Sequence, residues 1–169
     1  MLDPQTTVLI LIDIQKAFEE IDYWGGERNN PHAEENSKYL LDYWRVNQMP
    51  LIHIQHCSVN PTARLAEGNP GNEFKEIVVP LNGEMIIKKS VNSAFIGTNL
   101  KAVLDEQEIK NVVIIGLTTD HCVSTTTRMA GNYGYNTYLV SDATATFAKR
   151  GSMVKYMMPK LCILPLLLN

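Results

Sequence analysis

The most constraining feature of this chain is its alternation of two hydrophobic periods. Five short apolar runs, "TTVLILID" (6–13), "PLIHIQH" (50–56), "EMIIKK" (84–89), "NVVIIG" (111–116) and "NTYLVSD" (136–142), are rich in β-branched residues. They read as strands buried on both faces. Between them, "NPHAEENSKYLLDYWRVN" (30–47) predicts an amphipathic helix, with Asn30 as N-cap, Pro31 at the first helical position and Tyr39, Leu40, Tyr43 and Trp44 as its apolar residues. Leu100, Val103 and Leu104 predict a second helix, and Val123, Thr126, Thr127 and Ala130 a third, closed by Gly134. Strand, helix, strand repeated in this way implies right-handed crossovers and helices on both faces of a sheet. The expected fold is therefore a three-layer α/β/α, Rossmann-like domain whose mostly parallel sheet has about five or six strands. With 169 residues, 45% of them hydrophobic, the chain is expected to build one core, a single domain over 1–169. The longest irregular stretch, 57–83, is too long for a simple connection and reads as a functional or packing loop.

Charge and cysteine content remove several function classes. A formal charge of -3, with no cluster of Lys and Arg interleaved with aromatics, offers no face for a phosphate backbone, so no nucleic acid is expected. No membrane is expected either: the C-terminal "LCILPLLL" is far shorter than a bilayer span. Asp3 and Pro4 stand where a secretory signal would carry positive charge. The three cysteines, Cys57, Cys122 and Cys162, are odd in number and unrelated in spacing, which fits a reducing, cytoplasmic setting better than a disulfide framework.

In open parallel α/β sheets, ligands bind beyond the carboxyl ends of the strands. Asp13, His56 and Lys89 close the first three strands, and Cys122 follows the fourth. Singly, each has an ordinary explanation: a helix cap, a pocket wall, a solvated lysine, a small core thiol. Together they suit nucleophilic catalysis. A thiol at a helix start meets the positive end of the helix dipole, and a nearby ammonium adds to that, so a lowered Cys122 pKa is expected. Removing Lys89 is accordingly expected to move the thiol toward the free value of about 8.5. Asp13 is the candidate base, with Lys89 holding it in register with Cys122. Backbone N–H groups of the turn before the helix point toward any oxyanion formed there. Lys88, one residue earlier on the strand, should face the other way.

These residues carry a resemblance. "LIDIQKAF", "KKSVNSAFIGTNL" and "GLTTDHCVSTTTRMAGNYGY", in this order and at these strand ends, resemble the isochorismatase-like cysteine hydrolases, which include nicotinamidases and N-carbamoylsarcosine amidases. The resemblance runs from about Thr7 to Phe147. It implies a catalytic triad of Asp13, Lys89 and Cys122, and a cis peptide between Leu117 and Thr118 that aims the Thr118 N–H, with that of Cys122, at the oxyanion. It further implies hydrolysis of a small-molecule amide or related C–N bond through a Cys122 thioester, and a homo-oligomer, dimer or tetramer. Phe18, Trp24, His56 and Phe95 are the candidates for a substrate pocket, with a core role equally open to the aromatics.

Two departures from the family pattern matter. Metal-containing nicotinamidases carry an Asp-x-His pair after the second strand; here the place reads "QHCSVNP", with His56 and Ser58 in the ligand positions, so no metal and no cofactor is expected. His53 and His56, an odd number of residues apart on one strand, should face opposite ways. From about residue 151 the tail also departs from the pattern. Read one nucleotide out of frame, a permitted codon choice for Ser152 to Ile163 gives Ile-Asp-Gly-Lys-Val-Tyr-Asp-Ala-Gln-Ala-Met-His, the kind of segment relatives place there; a frameshift and a divergent natural tail are the two readings. Three rival functions stand beside the amidase: an isochorismate-type enol-ether hydrolase, a non-catalytic binding module and a thiol redox protein. The redox reading lacks a Cys-x-x-Cys partner for Cys122.

Overall fold

The structure is a computed structural model that describes residues 2–148. Whether the tail from about 151 is frameshifted or divergent lies outside the described residues. Five strands, β1 (Thr7–Ile12), β2 (Leu51–His56), β3 (Met85–Lys89), β4 (Asn111–Leu117) and β5 (Asn136–Ala145), pair in the order β3-β2-β1-β4-β5. Every pairing is parallel. After a single helical turn, α1 (Ile21–Trp24), the longer helix α2 (Ala33–Val46) covers one face of the sheet; α3 (Leu100–Glu106) and α4 (Ser124–Asn132) cover the other. The alternation of side chains along β1 sorts the two interiors: Val8, Ile10 and Ile12 pack toward α3 and α4, while Leu9 and Leu11 pack toward Leu41 and Trp44 of α2. Burying each such side chain stabilises the fold by about 1.5–3 kcal/mol.

Three expectations change. Only β1 and β4 are buried along their whole length. At the sheet edge, β3 leaves Met85 and Ile86 exposed, because an edge strand has a neighbour on one side only. The buried face of α2 is Ala33, Ser37, Leu41 and Trp44, whereas Tyr39 and Tyr43 are exposed. Small side chains let the helix approach the sheet closely enough for Ser37 Oγ to reach the Ala143 carbonyl at 3.2 Å. Asn30 does not cap α2. It sits at φ 44°, and its side-chain amide donates to the carbonyls of Ser141 and Thr144, both at 2.7 Å, tying the approach to α2 onto β5.

The chain passes from β1 outward through β2 to β3, then returns to place β4 on the other side of β1. The order therefore reverses at β1 and β4, and it is beyond the carboxyl ends of such strands that open parallel sheets bind their ligands. Gly116 makes the close approach there: at φ 123°, any Cβ would lie 2.0 Å from the Ile12 carbonyl oxygen, so only glycine fits. Among the described residues, no helix is long and apolar enough to cross a membrane.

Candidate active site

Each functional side chain is delivered by the end of a strand. Asp13 follows β1 with φ 50°, a conformation that costs a non-glycine residue of order 1–3 kcal/mol, and its N–H still donates to Ile54 O at 3.0 Å. Lys89 is the last residue of β3 and His56 of β2, paired across the ladder. After β4 comes the cis peptide between Leu117 and Thr118, as the resemblance implies. A single wide, π-helical turn, Thr119–Val123, follows, in which Thr118 O accepts from both His121 N (3.1 Å) and Val123 N (3.3 Å). This turn sets Cys122 two residues before α4 and faces it toward β1 and β3.

The Lys89 ammonium is the centre of the site. Its Nζ lies 2.6 Å from Asp13 Oδ2, 3.2 Å from Cys122 Sγ and 3.1 Å from His56 Nδ1. The side chains of Lys89 and Asp13 are 0% and 1% exposed, so this ion pair is shielded from solvent. Lys88, one residue earlier, is exposed and pairs with Glu67, as strand alternation predicts. Asp13 Oδ1 is buried and accepts no hydrogen bond from Lys89 or any other donor among the described residues, while the carboxylate faces the Cys122 thiol. Asn92 Oδ1 stands 3.9 Å from Cys122 Sγ.

Electrostatics correct one expectation. Burial pushes the Cys122 thiol up, the adjacent Asp13 charge pushes the same way, and Lys89 offsets only part, leaving the thiol at about 12. The resting site therefore holds a thiol, not a thiolate: a helix start and one ammonium do not outweigh burial beside a carboxylate. Burial also raises the Asp13 carboxyl above its ordinary range, against the pull of Lys89. Burial, then the Lys89 charge, push the His56 imidazole down to about 4, so it is neutral at pH 7.

Asp13, His56 and Cys122 offer an oxygen, a nitrogen and a sulfur within 4.8 Å of one another, a donor set that suits zinc. Lys89, however, places its positive charge against all three, and a divalent ion would have to displace it. The nicotinamidase ligand pattern does not fit either, since His56 is engaged by Lys89 and Ser58 Oγ accepts from Asn60 N at 3.2 Å. His53 faces the other side of the sheet, bonded to Glu84 at 2.9 Å.

The aromatic candidates separate. Phe18 and Trp24 lie 4.8 Å apart and join Phe147 and Leu117 in one cluster beside the turn that leads to Cys122. Phe95 packs instead against Tyr133 at 5.2 Å and Tyr135 at 6.4 Å, within the buried cluster on the α3/α4 face of the sheet that also holds Cys122. Sequence reasoning passed over Gln15, Asn72 and Asn92. Gln15, fully buried, accepts from His56 N at 2.9 Å and donates to His56 O at 3.0 Å and Asn72 O at 2.7 Å. Asn72 donates to His56 O and Leu65 O, fastening the 57–83 loop over the strand ends. The signal for Gln15 was its place two residues beyond Asp13, just past the end of the first strand.

Comparison with known proteins establishes the family and the fold. The uncharacterized isochorismatase family protein YrdC from Bacillus subtilis (strain 168) is 54% identical over 142 residues, spanning 84% of this chain and 75% of that protein. Nicotinamidase 3 of Arabidopsis thaliana is 28% identical over 160 residues, spanning 86% and 77%. A crystal structure of an isochorismatase-family protein from Chromobacterium violaceum superposes with a TM-score of 0.86 at 40% identity, covering 92% of this chain and 82% of that one. The sequence model of the isochorismatase domain matches residues 7–163, and with it the chain belongs to the isochorismatase family of hydrolases.

Proposed function

We propose that this protein hydrolyses a small, non-peptide amide through a covalent Cys122 thioester. The observation that carries the reading is the buried Lys89 ammonium bridging Asp13 and Cys122 while Asp13 Oδ1 stays open. The open oxygen is the acceptor for the thiol proton. A carboxyl with a raised pKa is a better base near neutrality than an ordinary one, and transfer of the proton leaves a thiolate beside the ammonium in place of the carboxylate. The thiolate attacks the carbonyl carbon, forming the C–S bond, and the N–H groups of Thr118 and Cys122 stabilise the oxyanion. Protonated Asp13 returns its proton to the amide nitrogen as the C–N bond breaks and the amine departs. A water, losing its proton to Asp13, adds to the thioester; C–S cleavage then releases the carboxylic acid and restores the thiol.

The relative named nicotinamidase 3 supports amide chemistry. Cys122 is a buried free cysteine with no Cys-x-x-Cys partner, which argues against a redox role. We place the reaction in a reducing, cytoplasmic compartment, since the nucleophile must stay a free thiol, and propose a homo-oligomer, for which the exposed Met85 and Ile86 on the edge strand provide apolar surface. The deciding experiment is a panel of small primary amides assayed for ammonia release, with the acyl-enzyme sought by intact-protein mass spectrometry. Ammonia and an acyl adduct from the native protein, both absent in Cys122→Ala, support the proposal. Peroxide reduction or thiol exchange with no hydrolysis would replace it with the redox reading.

A further inference from the structure

An ammonium has three N–H bonds in fixed tetrahedral directions, and in a site without solvent each needs an acceptor. Asp13 Oδ2 and Cys122 Sγ account for two of them. The third goes to His56 Nδ1 at 3.1 Å. Facing an ammonium, that nitrogen must be the acceptor, so His56 is the neutral tautomer protonated on Nε2. Asp13 Oδ1, buried and without a donor among the described residues, is the competing acceptor for the same N–H. Were His56 unable to accept, the ammonium would tip toward Oδ1, occupy the oxygen that is to receive the thiol proton and draw away from Cys122 Sγ.

We infer that His56 is a positioning residue: its Nδ1 takes the third N–H of Lys89, holding the ammonium on Cys122 and keeping Asp13 Oδ1 open. The inference rests on the hydrolase reading above for its consequence in turnover, though not for the geometry. The backbone is built to hold this ring in place. Gln15 grips both the N–H and the carbonyl of His56, and Asn72 donates to that carbonyl at 2.7 Å. Two buried amides clamping the backbone N–H and carbonyl of this one residue at a strand end fix where its side chain starts, and the ladder pairing of His56 with Lys89 sets the two strand ends side by side. The low imidazole pKa agrees with a ring that stays neutral against a cation.

The test uses the full chain and two variants, His56→Leu, which removes the acceptor, and His56→Asn, which keeps one near Nδ1. Three quantities are read: the His56 tautomer in the native protein by long-range proton–nitrogen NMR, the rate of Cys122 alkylation by iodoacetamide followed on its peptide by mass spectrometry, and kcat and KM on an amide that the native protein turns over. The expected result is a ring protonated on Nε2 alone at pH 7. His56→Leu is expected to slow alkylation about fivefold and lower kcat about tenfold with KM within about threefold, and His56→Asn to recover most of both losses. A ring protonated on Nδ1 overturns the inference, as does a folded His56→Leu that alkylates like the native protein, or a His56→Asn as impaired as the leucine variant. Should His56→Leu fail to fold, the tautomer and His56→Asn decide. If the native protein hydrolyses no amide, the hydrolase reading fails, while tautomer and alkylation still judge the Lys89–His56 contact.

Discussion

Replacing Lys89 with methionine tests the electrostatics of the site most directly, because it removes one charge and little volume. At the 3.2 Å between Lys89 Nζ and Cys122 Sγ, with an effective dielectric constant of about 20, the ammonium favours the thiolate by about 5 kcal/mol. That is not the net effect. Without its counter-ion, the buried Asp13 becomes protonated and stops opposing the thiolate. Asp13 lies within 4.8 Å of the sulfur, so the repulsion relieved is at least about 3.5 kcal/mol on the same scale. The difference, at most about 1.7 kcal/mol, corresponds to a thiolate population lower by a factor of at most about twenty. Lys89→Met should therefore slow iodoacetamide alkylation of Cys122 by up to about that factor at pH 8, with the rate still climbing with pH and no inflection near 8.5. The slowing keeps the direction expected from sequence, but the profile moves away from the free-thiol value instead of toward it, since the thiol starts at about 12 and loses a stabilising cation. Lys88→Met, which removes an exposed pair with Glu67, should leave the profile where it is. A faster reaction in Lys89→Met, or an inflection near the free-thiol value, would refute the reasoning; circular dichroism establishes that both variants are folded.

Cys122→Ala should reduce ammonia release to less than a few per cent of native at an unchanged melting temperature, since it removes one sulfur at the rim of the core; retained turnover identifies a different nucleophile. Chelators should leave amide hydrolysis unaffected, because Lys89 supplies the positive charge amid Asp13, His56 and Cys122; loss on chelation with rescue by zinc would restore a metal role. Acid stability should depend on Glu84. Its burial raises the carboxyl pKa, but Arg45, the Leu81 N–H and His53 more than offset this and bring it from 4.5 to about 2. A depressed pKa stabilises the fold fully above 4.5 and progressively less as pH falls toward 2. Urea unfolding between pH 2 and 7 should show this slope in the native protein and a flatter one in Glu84→Gln; identical slopes would remove Glu84 from the account.

The sequence by itself determined whatever depends on local period and on the ends of strands. Five short, nearly continuous apolar runs, with helical periods between them, specify a parallel three-layer sheet, because only that arrangement covers both faces of such strands. Alternation at the end of β3 was enough to separate Lys89 from Lys88, and an odd spacing enough to send His53 and His56 to opposite faces. What the sequence could not contain was anything set by distance between strand ends. The third acceptor of Lys89, the open oxygen of Asp13 and the clamp of Gln15 and Asn72 on His56 join residues tens of positions apart, and they exist only once β1, β2 and β3 lie side by side. The same holds for the face that α2 buries, chosen by how closely Ala33 and Ser37 let it approach the sheet rather than by where its largest apolar residues fall. The state of the Cys122 thiol belongs here too: motif and helix start argue for a thiolate, but desolvation scales with the depth of a pocket that only the assembled tertiary structure creates.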